Sequence, residues 1–216
     1  MSLFRLDASI RTEGSHSREL ADIVDAEWRA AHPDAEVIRR DVGREPVPAT
    51  AWSSAVTGSW TPEEHRNPDQ RAAATMAAGE VDPLLAADAL LFAVPLYNFG
   101  VSQHFKSWVD LVLTDSRMAP GTEPALAGKP AVLVTVRGGG YAPGTPREGW
   151  DHATGWMRRI LADVWQLDLR STEAELTLAT VTPAMAGLID AATESRRAAE
   201  VSARVHGRDL VLPVAA

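Results

Sequence analysis

Residues 88–112 read DALLFAVPLYNFGVSQHFKSWVDLV, and this stretch decides the fold class. The apolar run 89–94 shows no polar alternation, which is typical of a parallel strand buried on both faces. Pro95 has no backbone N–H and is expected to end the hydrogen-bond ladder of that strand. After a short loop, apolar residues recur at helical spacing over 105–112. The stretch therefore predicts a buried strand, a loop and a helix.

The same alternation of strand and helix continues along the chain. Strands are predicted over 3–8, 36–39, 89–94 and 131–136 and within 167–178. Five strands separated by helical patterns indicate a doubly wound α/β fold, with a parallel sheet and helices on both faces. At this length they favour the flavodoxin-like strand order 2-1-3-4-5, in one domain spanning residues 1–216. Residues 41–67 look irregular, and such a long connection is usually functional or locally helical.

Composition excludes several classes of function. The chain has no cysteine, which removes disulfides, thiolate catalysis and iron–sulfur clusters. Its histidines show no zinc-ligand spacing, so no metal is expected. A net charge of -8 argues against nucleic acid as a partner. No signal-peptide pattern and no membrane-spanning run of roughly 18 apolar residues is present, so we expect a cytoplasmic protein without a membrane partner. The seven tryptophans suggest a pocket or a subunit contact, with core filling as the simpler alternative for each.

Serine hydroxyls are concentrated in the loop after the first predicted strand. Residues 9–17 read SIRTEGSHS and lead directly into a helix, whose free backbone N–H groups and positive dipole end attract anions. A single phosphate monoester suits this loop, because the lysine of a polyphosphate-binding P-loop is absent. Ordinary helix capping by Ser15 or Ser17 also explains the serines, and this loop alone favours capping.

Two further loops follow buried strands, at the edge where open α/β sheets bind ligands. Residues 95–99, PLYNF, present two aromatic rings and an amide, which suit a flat heterocycle. Residues 135–141, TVRGGGY, contain glycines that allow the backbone to approach a ligand closely. They do not form a dinucleotide fingerprint, because Pro143 occupies the place of the third glycine.

The segment PLYNFGVSQHFKSWVDLV resembles the flavin loop of bacterial FMN-dependent NADH azoreductases and of the related NAD(P)H:quinone oxidoreductases. The resemblance extends from Leu3 to about Arg204. It implies a flavodoxin-like homodimer with one non-covalent FMN per subunit and NADH or NADPH as electron donor. A quinone or azo compound would be the acceptor, reduced by a ping-pong mechanism in which the flavin carries the chemistry and no catalytic side chain is needed.

The resemblance also assigns site residues. The cofactor-binding residues would be Ser9, Ser15, His16, Ser17, Pro95, Leu96, Tyr97, Asn98, Phe99, Val136, Arg137, Gly138 and Gly139. The substrate pocket would include Asn98, Phe99 and Tyr141, with Trp60 and Trp150 as additional candidates.

The chain departs from the family pattern at two places. Val136 replaces a serine that bonds the flavin in relatives. Segment 114–120 is shorter than the aromatic-bearing arm that relatives extend over the partner's flavin, so the pocket is expected to be more open or to be filled by Trp60 and Trp150. Two alternatives therefore stay open: a specialised, biosynthetic reductase on this scaffold, and a non-catalytic flavodoxin-type electron carrier.

Overall fold

A computed structural model describes residues 1–210 of the chain. Its sheet contains five parallel strands: β1 (Ser2–Asp7), β2 (Glu36–Asp41), β3 (Ala89–Tyr97), β5 (Pro130–Val136) and β6 (Asp168–Ala174). Their spatial order is β2-β1-β3-β5-β6. The predicted flavodoxin-like order is confirmed, and a short antiparallel strand β4 (Gly100–Val101) is added beside β3. Residues 211–216 of the predicted domain lie outside the described part.

Helices connect the strands and cover both faces of the sheet. They are α1 (His16–Ala31), α2 (Ala51–Ser59), α3 (Pro68–Ala86), α4 (Gln103–Val112), α5 (Thr154–Arg158), which continues as a π-helix over Arg159–Val164, and α6 (Ile189–Arg208). Short 3₁₀ segments cover Glu63–His65 and Pro183–Leu188. Among residues 1–210, no helix is both long and apolar enough to cross a membrane.

The central strands are the most deeply buried part of the chain. All of β5, and β3 except Tyr97, are buried, whereas the edge strand β2 is half-exposed. Leu90 of β3 pairs with Ala131 of β5, and the parallel register continues to the pair of Pro95 and Val136. An unbroken apolar run is stable in this position because both faces of the strand meet helices.

Two apolar layers fill the space between sheet and helices. On one face, Phe4, Phe92, Phe105, Trp108 and Trp165 form a cluster of aromatic rings. On the other face, α1 and α6 pack together on the sheet around Trp28. Three of the tryptophans are therefore core residues, which the sequence had left open.

Two expectations about local structure need correction. Pro95 does not end β3, which continues to Tyr97. The carbonyl of Ala93 faces β1, where it accepts the N–H of Ala8. Residues two apart in a strand face the same side, so the N–H that Pro95 lacks would also point towards β1. Because β1 has already ended there, the strand loses no ladder bond. Residues 41–67 are not irregular throughout: they contain α2 and a 3₁₀ turn, and the prolines flank α2 instead of interrupting it.

A small polar cluster joins α6 to the edge strand β6. The Thr172 hydroxyl lies 3.0 Å from Nδ1 of His206 and 3.1 Å from the Ser202 hydroxyl. Burial, and after it the positive charge of Arg170, lower the pKa of His206 below its ordinary value, although Asp209 acts in the opposite direction. The native state therefore favours neutral His206.

We predict that His206 makes the fold less stable as pH falls. Because its pKa is lower in the folded than in the unfolded chain, its contribution is complete above the unfolded value, roughly 6.5, and is lost as pH falls through the folded value. Urea unfolding at several pH values between neutral and mildly acidic should show a weaker pH dependence for His206→Gln than for the parent. The exposed His65, replaced by Gln, is the matched control, and equal pH dependence of all three proteins would contradict the prediction.

Candidate functional site

A cleft of about 230 Å³ opens at the carboxyl ends of β1, β3 and β5. The loops that follow these three strands contribute to it, and so does the segment after β6, because the parallel topology brings them to one edge of the sheet. It is lined by Ser9, Arg11, Gly14, Ser15, His16, Ser17, Pro95, Leu96, Tyr97, Val136, Gly138, Thr177 and Leu178. The structure thus brings together in one cleft most of the residues that the sequence assigned to cofactor binding.

The first loop presents buried hydroxyls beside the start of α1. Ser15 is the N-cap residue, yet within the described chain its side chain makes no capping bond to the helix. Its hydroxyl instead lies 3.3 Å from that of Ser17, and both side chains are buried. Gly14 has a φ of 59°, a conformation that favours glycine and directs the chain into the helix. Ordinary capping therefore does not account for these serines, and their hydroxyls and the adjacent N–H groups are available to an anion.

Arg18 holds this loop in place from behind. Its guanidinium donates to the backbone carbonyls of Ser9 (2.8 Å) and Arg11 (2.9 Å) and forms a two-bond ion pair with Asp41 (2.7 and 2.8 Å). Burial acts to raise the pKa of Asp41, but the hydrogen bond and charge of Arg18, together with those of Arg44, outweigh it and hold that pKa below its usual value. Gly43 is required beside Arg18, because a Cβ there would lie 2.1 Å from the Ser9 carbonyl oxygen.

Tyr97 connects the serine loop to the aromatic loop. Its hydroxyl lies 3.2 Å from the Ser9 hydroxyl and accepts the backbone N–H of Ile10 at 3.3 Å. The Ser9 oxygen also accepts the N–H of Arg11. The phenol therefore fixes the separation between the two loops at the point where they form the cleft.

The aromatic loop is the turn of a tight hairpin between β3 and β4. Leu96 pairs with Val101 and Tyr97 with Gly100, which leaves Asn98 and Phe99 as the two turn residues. Their φ values are 48° and 65°, as a type I′ turn requires at both positions. Asn tolerates this conformation, whereas Phe rarely adopts it, so the turn holds Phe99 in an unfavourable backbone conformation.

Arg137 is directed away from the cleft, although the sequence places it in the cofactor loop. Its guanidinium bonds Asp151 (2.6 Å), Glu173 (2.8 Å) and Thr154 (2.8 Å), and a third carboxylate, Glu175, lies at 3.4 Å. Burial acts to raise the pKa of Asp151, but bonds from Thr154 and the charge of Arg137 keep it below its usual value. The side chain thus anchors surrounding loops, while neighbouring Val136 and Gly138 line the cleft.

The remaining predicted residues lie at different distances from the cleft. Tyr141 is partly buried, and its backbone N–H donates to Glu175 at 3.1 Å. Trp150 contacts Phe99 edge-to-face, with ring centroids 5.3 Å apart. Trp60 follows α2, is 79% exposed and does not line the cleft. Segment 114–120 does not line the cleft either, and residues 114–117 border a separate hollow beside α2 and α3.

Four lining residues, Arg11, Gly14, Thr177 and Leu178, were not predicted from the sequence to line the cleft. Arg11 and Gly14 stand in the predicted anion loop, where Arg11 is a cation between serines and Gly14 directly precedes Ser15. Thr177 and Leu178 follow β6 and reach the cleft through backbone bonds to the third loop: their N–H groups donate to the carbonyls of Arg137 (3.1 Å) and Gly138 (3.2 Å). No local sequence pattern indicates such a tertiary contact.

A larger hollow of about 480 Å³ lies on the other side of the serine loop. Its walls are highly charged, but the arginines are already paired with carboxylates: Arg5 with Asp7 and Asp22, and Arg18 with Asp41. This hollow therefore suits an aromatic or anionic ligand less well than the smaller cleft does.

Comparisons with known proteins agree with this geometry. A model of the flavodoxin-like fold family matches residues 1–195. An FMN-dependent NADH:quinone oxidoreductase of Frankia casuarinae is 38% identical over 94% of this chain and 97% of its own length. The corresponding enzyme of Streptomyces avermitilis is 33% identical over 97% of this chain and 96% of its own.

Solved structures show the same fold. The crystal structure of an azoreductase from Bacillus anthracis str. Sterne superimposes with a TM-score of 0.78 at 19% identity, covering 97% of this chain and 99% of that one. The matched family model and the identity over nearly full length together show that the chain belongs to the flavodoxin-like family of FMN-dependent NADH:quinone oxidoreductases.

Proposed function

We propose that the cleft binds FMN, with its phosphate in the 9–17 loop and its ring between residues 95–99 and 136–139. The observation that carries this proposal is that the buried hydroxyls of Ser15 and Ser17, at the N-terminus of α1, contact each other instead of capping the helix. Hydroxyls, free N–H groups and a helix dipole suit a phosphate monoester.

The residues present also fit the rest of the cofactor. Arg11 supplies a positive charge on the phosphate side of the cleft. Pro95, Leu96 and Val136 supply apolar walls for a flat ring, and Val136 offers no side-chain hydrogen bond. Phe99, at the tip of the hairpin, does not line the cleft and is partly exposed, so its ring is accessible to a second planar molecule.

Family membership makes the chain an FMN-dependent oxidoreductase that takes electrons from NADH and reduces quinones or azo compounds. When bound, FMN supplies the redox chemistry by accepting a hydride from the nicotinamide and passing it on to the acceptor. The protein's own contribution is to position the partners: Arg18 and Tyr97 fix the loops, and Phe99 and Trp150 offer aromatic surface. We infer a ping-pong order, because donor and acceptor would use the same open side of the cleft in turn.

The first test is the visible spectrum of the purified protein. We expect a yellow protein, or one that takes up one FMN per chain, whose absorbance is bleached by NADH and restored by a naphthoquinone. Chromatography of the released flavin identifies it as FMN. Finding FAD, or no uptake after FMN is added, would contradict the proposed function.

We predict that the serine loop provides much of the FMN affinity. The double variant Ser15→Ala with Ser17→Ala removes two hydroxyl donors to a charged acceptor, each worth roughly 1.5–3 kcal/mol, so FMN should bind at least about a hundredfold more weakly. Riboflavin, which lacks the phosphate, should bind the variant and the parent equally. Fluorescence titration measures both affinities.

The matched control for that variant replaces Ser53 and Ser59, whose hydroxyls bond only carbonyls of α2 or just before it. It should bind FMN as the parent does. Equal losses for FMN and riboflavin in the Ser15 and Ser17 variant would show that the phosphate binds elsewhere.

We propose that the chain forms a homodimer in the cytoplasm. Trp52 and Trp60, at opposite ends of α2, are 49% and 79% exposed, and large amphipathic rings are enriched at subunit contacts. Light scattering at micromolar concentration should give about twice the chain mass of 23.2 kDa. A monomer with full reductase activity would contradict the proposed dimer. Cell fractionation tests the proposed location in the cytoplasm.

A further inference from the structure

Arg147, which does not itself line the cleft, is a cation without a carboxylate partner in residues 1–210. Its guanidinium lies 5.8 Å from the centroid of the Phe99 ring, and Nη1 would be 2.5 Å from a Cβ built on Gly139. It therefore contacts both the hairpin and the glycine loop, the two walls between which we propose that the flavin ring binds. Nearby carboxylates are already engaged: Glu148 accepts the N–H of Gly144, and Glu175 interacts with Arg137 and Tyr141.

Two half-exposed aromatic rings lie beside this cation. Phe99 and Trp150 contact each other at an interplanar angle of 80° and are 38% and 50% exposed. Because the planes of the two rings are nearly perpendicular, the pair offers an incoming planar molecule one ring face to stack on and a ring edge beside it. A positive charge next to that surface adds a preference for negative charge.

The segment that carries Arg147 and Trp150 is fixed in position. The backbone N–H of Trp150 donates to the carbonyl of Arg147 at 3.1 Å, and the carbonyl of Phe99 accepts the N–H of His152 at 3.0 Å. Asp151, the next residue after Trp150, is bonded by buried Arg137 and by the N–H groups of Ala153 and Thr154. A site whose groups are already ordered loses less entropy on binding.

We propose that Arg147, with Phe99 and Trp150, selects electron acceptors that carry an anionic group, such as a carboxylate or sulfonate, on a planar aromatic ring. The inference rests on the proposed function and adds a substrate class to it. A guanidinium binds one carboxylate or sulfonate through paired hydrogen bonds. Because the chain has a net charge of -8, its surface on average repels anions, and a local unpaired cation is needed to admit one.

The phosphates of the nicotinamide nucleotide are the other possible source of negative charge. The acidic acceptor is favoured because the cation lies directly against the aromatic surface, within reach of a substituent on the ring that stacks there. A diphosphate would extend further from the ring and would need more than one cation.

The experiment compares menadione, which is neutral, with a naphthoquinone sulfonate, using the FMN-loaded protein. In Arg147→Gln, kcat/KM for the sulfonate should fall at least about tenfold relative to the parent, because the paired charge-assisted hydrogen bonds are lost, and the value for menadione should stay within about twofold. Arg147→Lys should retain part of the preference. Arg208→Gln, an exposed arginine beside Glu27 at the far end of α6, is the matched control and should behave as the parent.

A second measurement does not depend on turnover. Binding of naphthalenesulfonate, an unreactive anion, to the FMN-loaded protein is followed by tryptophan fluorescence. Binding should weaken in Arg147→Gln by a factor similar to the kinetic one and should weaken with added salt in the parent. Unchanged sulfonate binding and unchanged kinetics in the variant would overturn the proposal.

Three other outcomes would also overturn it. Equal losses for both quinones would show that Arg147 acts through the flavin. Slower bleaching by NADH with unchanged reoxidation would assign the cation to the nucleotide. A parent that binds no FMN, or reduces neither quinone, would refute the proposed function itself, an outcome recognisable without any variant.

Discussion

The burial of β3 and β5 on both faces is the constraint on which the rest of the structure depends. These strands are apolar along almost their whole length, so helices must cover both sides of the sheet. Parallel strands flanked by helices require every connection from a strand to the following helix to leave at the same edge. The serine loop, the hairpin turn and the glycine loop therefore meet at one place, although they are distant in sequence.

Arginines fix these loops in the positions that the topology gives them. Arg18 bonds two carbonyls of the serine loop, and Arg137 gathers Asp151, Glu173 and Glu175 beneath the glycine loop. Both guanidinium groups are largely buried, and each is compensated by carboxylates, without which burial would be strongly unfavourable. The cleft is therefore preorganised, because its walls are held by ion pairs that do not themselves face the ligand.

Sequence periodicity was sufficient to predict the five parallel strands, whose number at this chain length favoured the observed order, but it did not show the short strand β4. It failed at Pro95, because the cost of a missing N–H depends on whether the neighbouring strand extends that far. The serine, aromatic and glycine loops could be predicted because each directly follows an apolar strand. The partners of the Arg137 side chain and the approach of Arg147 to Phe99 could not, because these contacts join segments without any shared local pattern.

The distribution of charge separates structural cations from those available to ligands. With 29 acidic against 21 basic residues, the chain has enough carboxylates to pair every arginine. Arg5, Arg18 and Arg137 are paired accordingly. Among the arginines without an ion pair in residues 1–210, Arg66 and Arg71 donate to backbone carbonyls and Arg158 donates to the Ser171 hydroxyl. Arg11 and Arg147 have neither an ion pair nor a side-chain hydrogen bond there, and Arg147 lies against the Phe99 ring. Arg11 lines the cleft beside the serine loop, and Arg147 lies beside the Phe99 ring. The chain has an excess of carboxylates, yet these two arginines have no partner among residues 1–210. This is explained if their counter-charges arrive with the ligands, one on the cofactor and one on the acceptor.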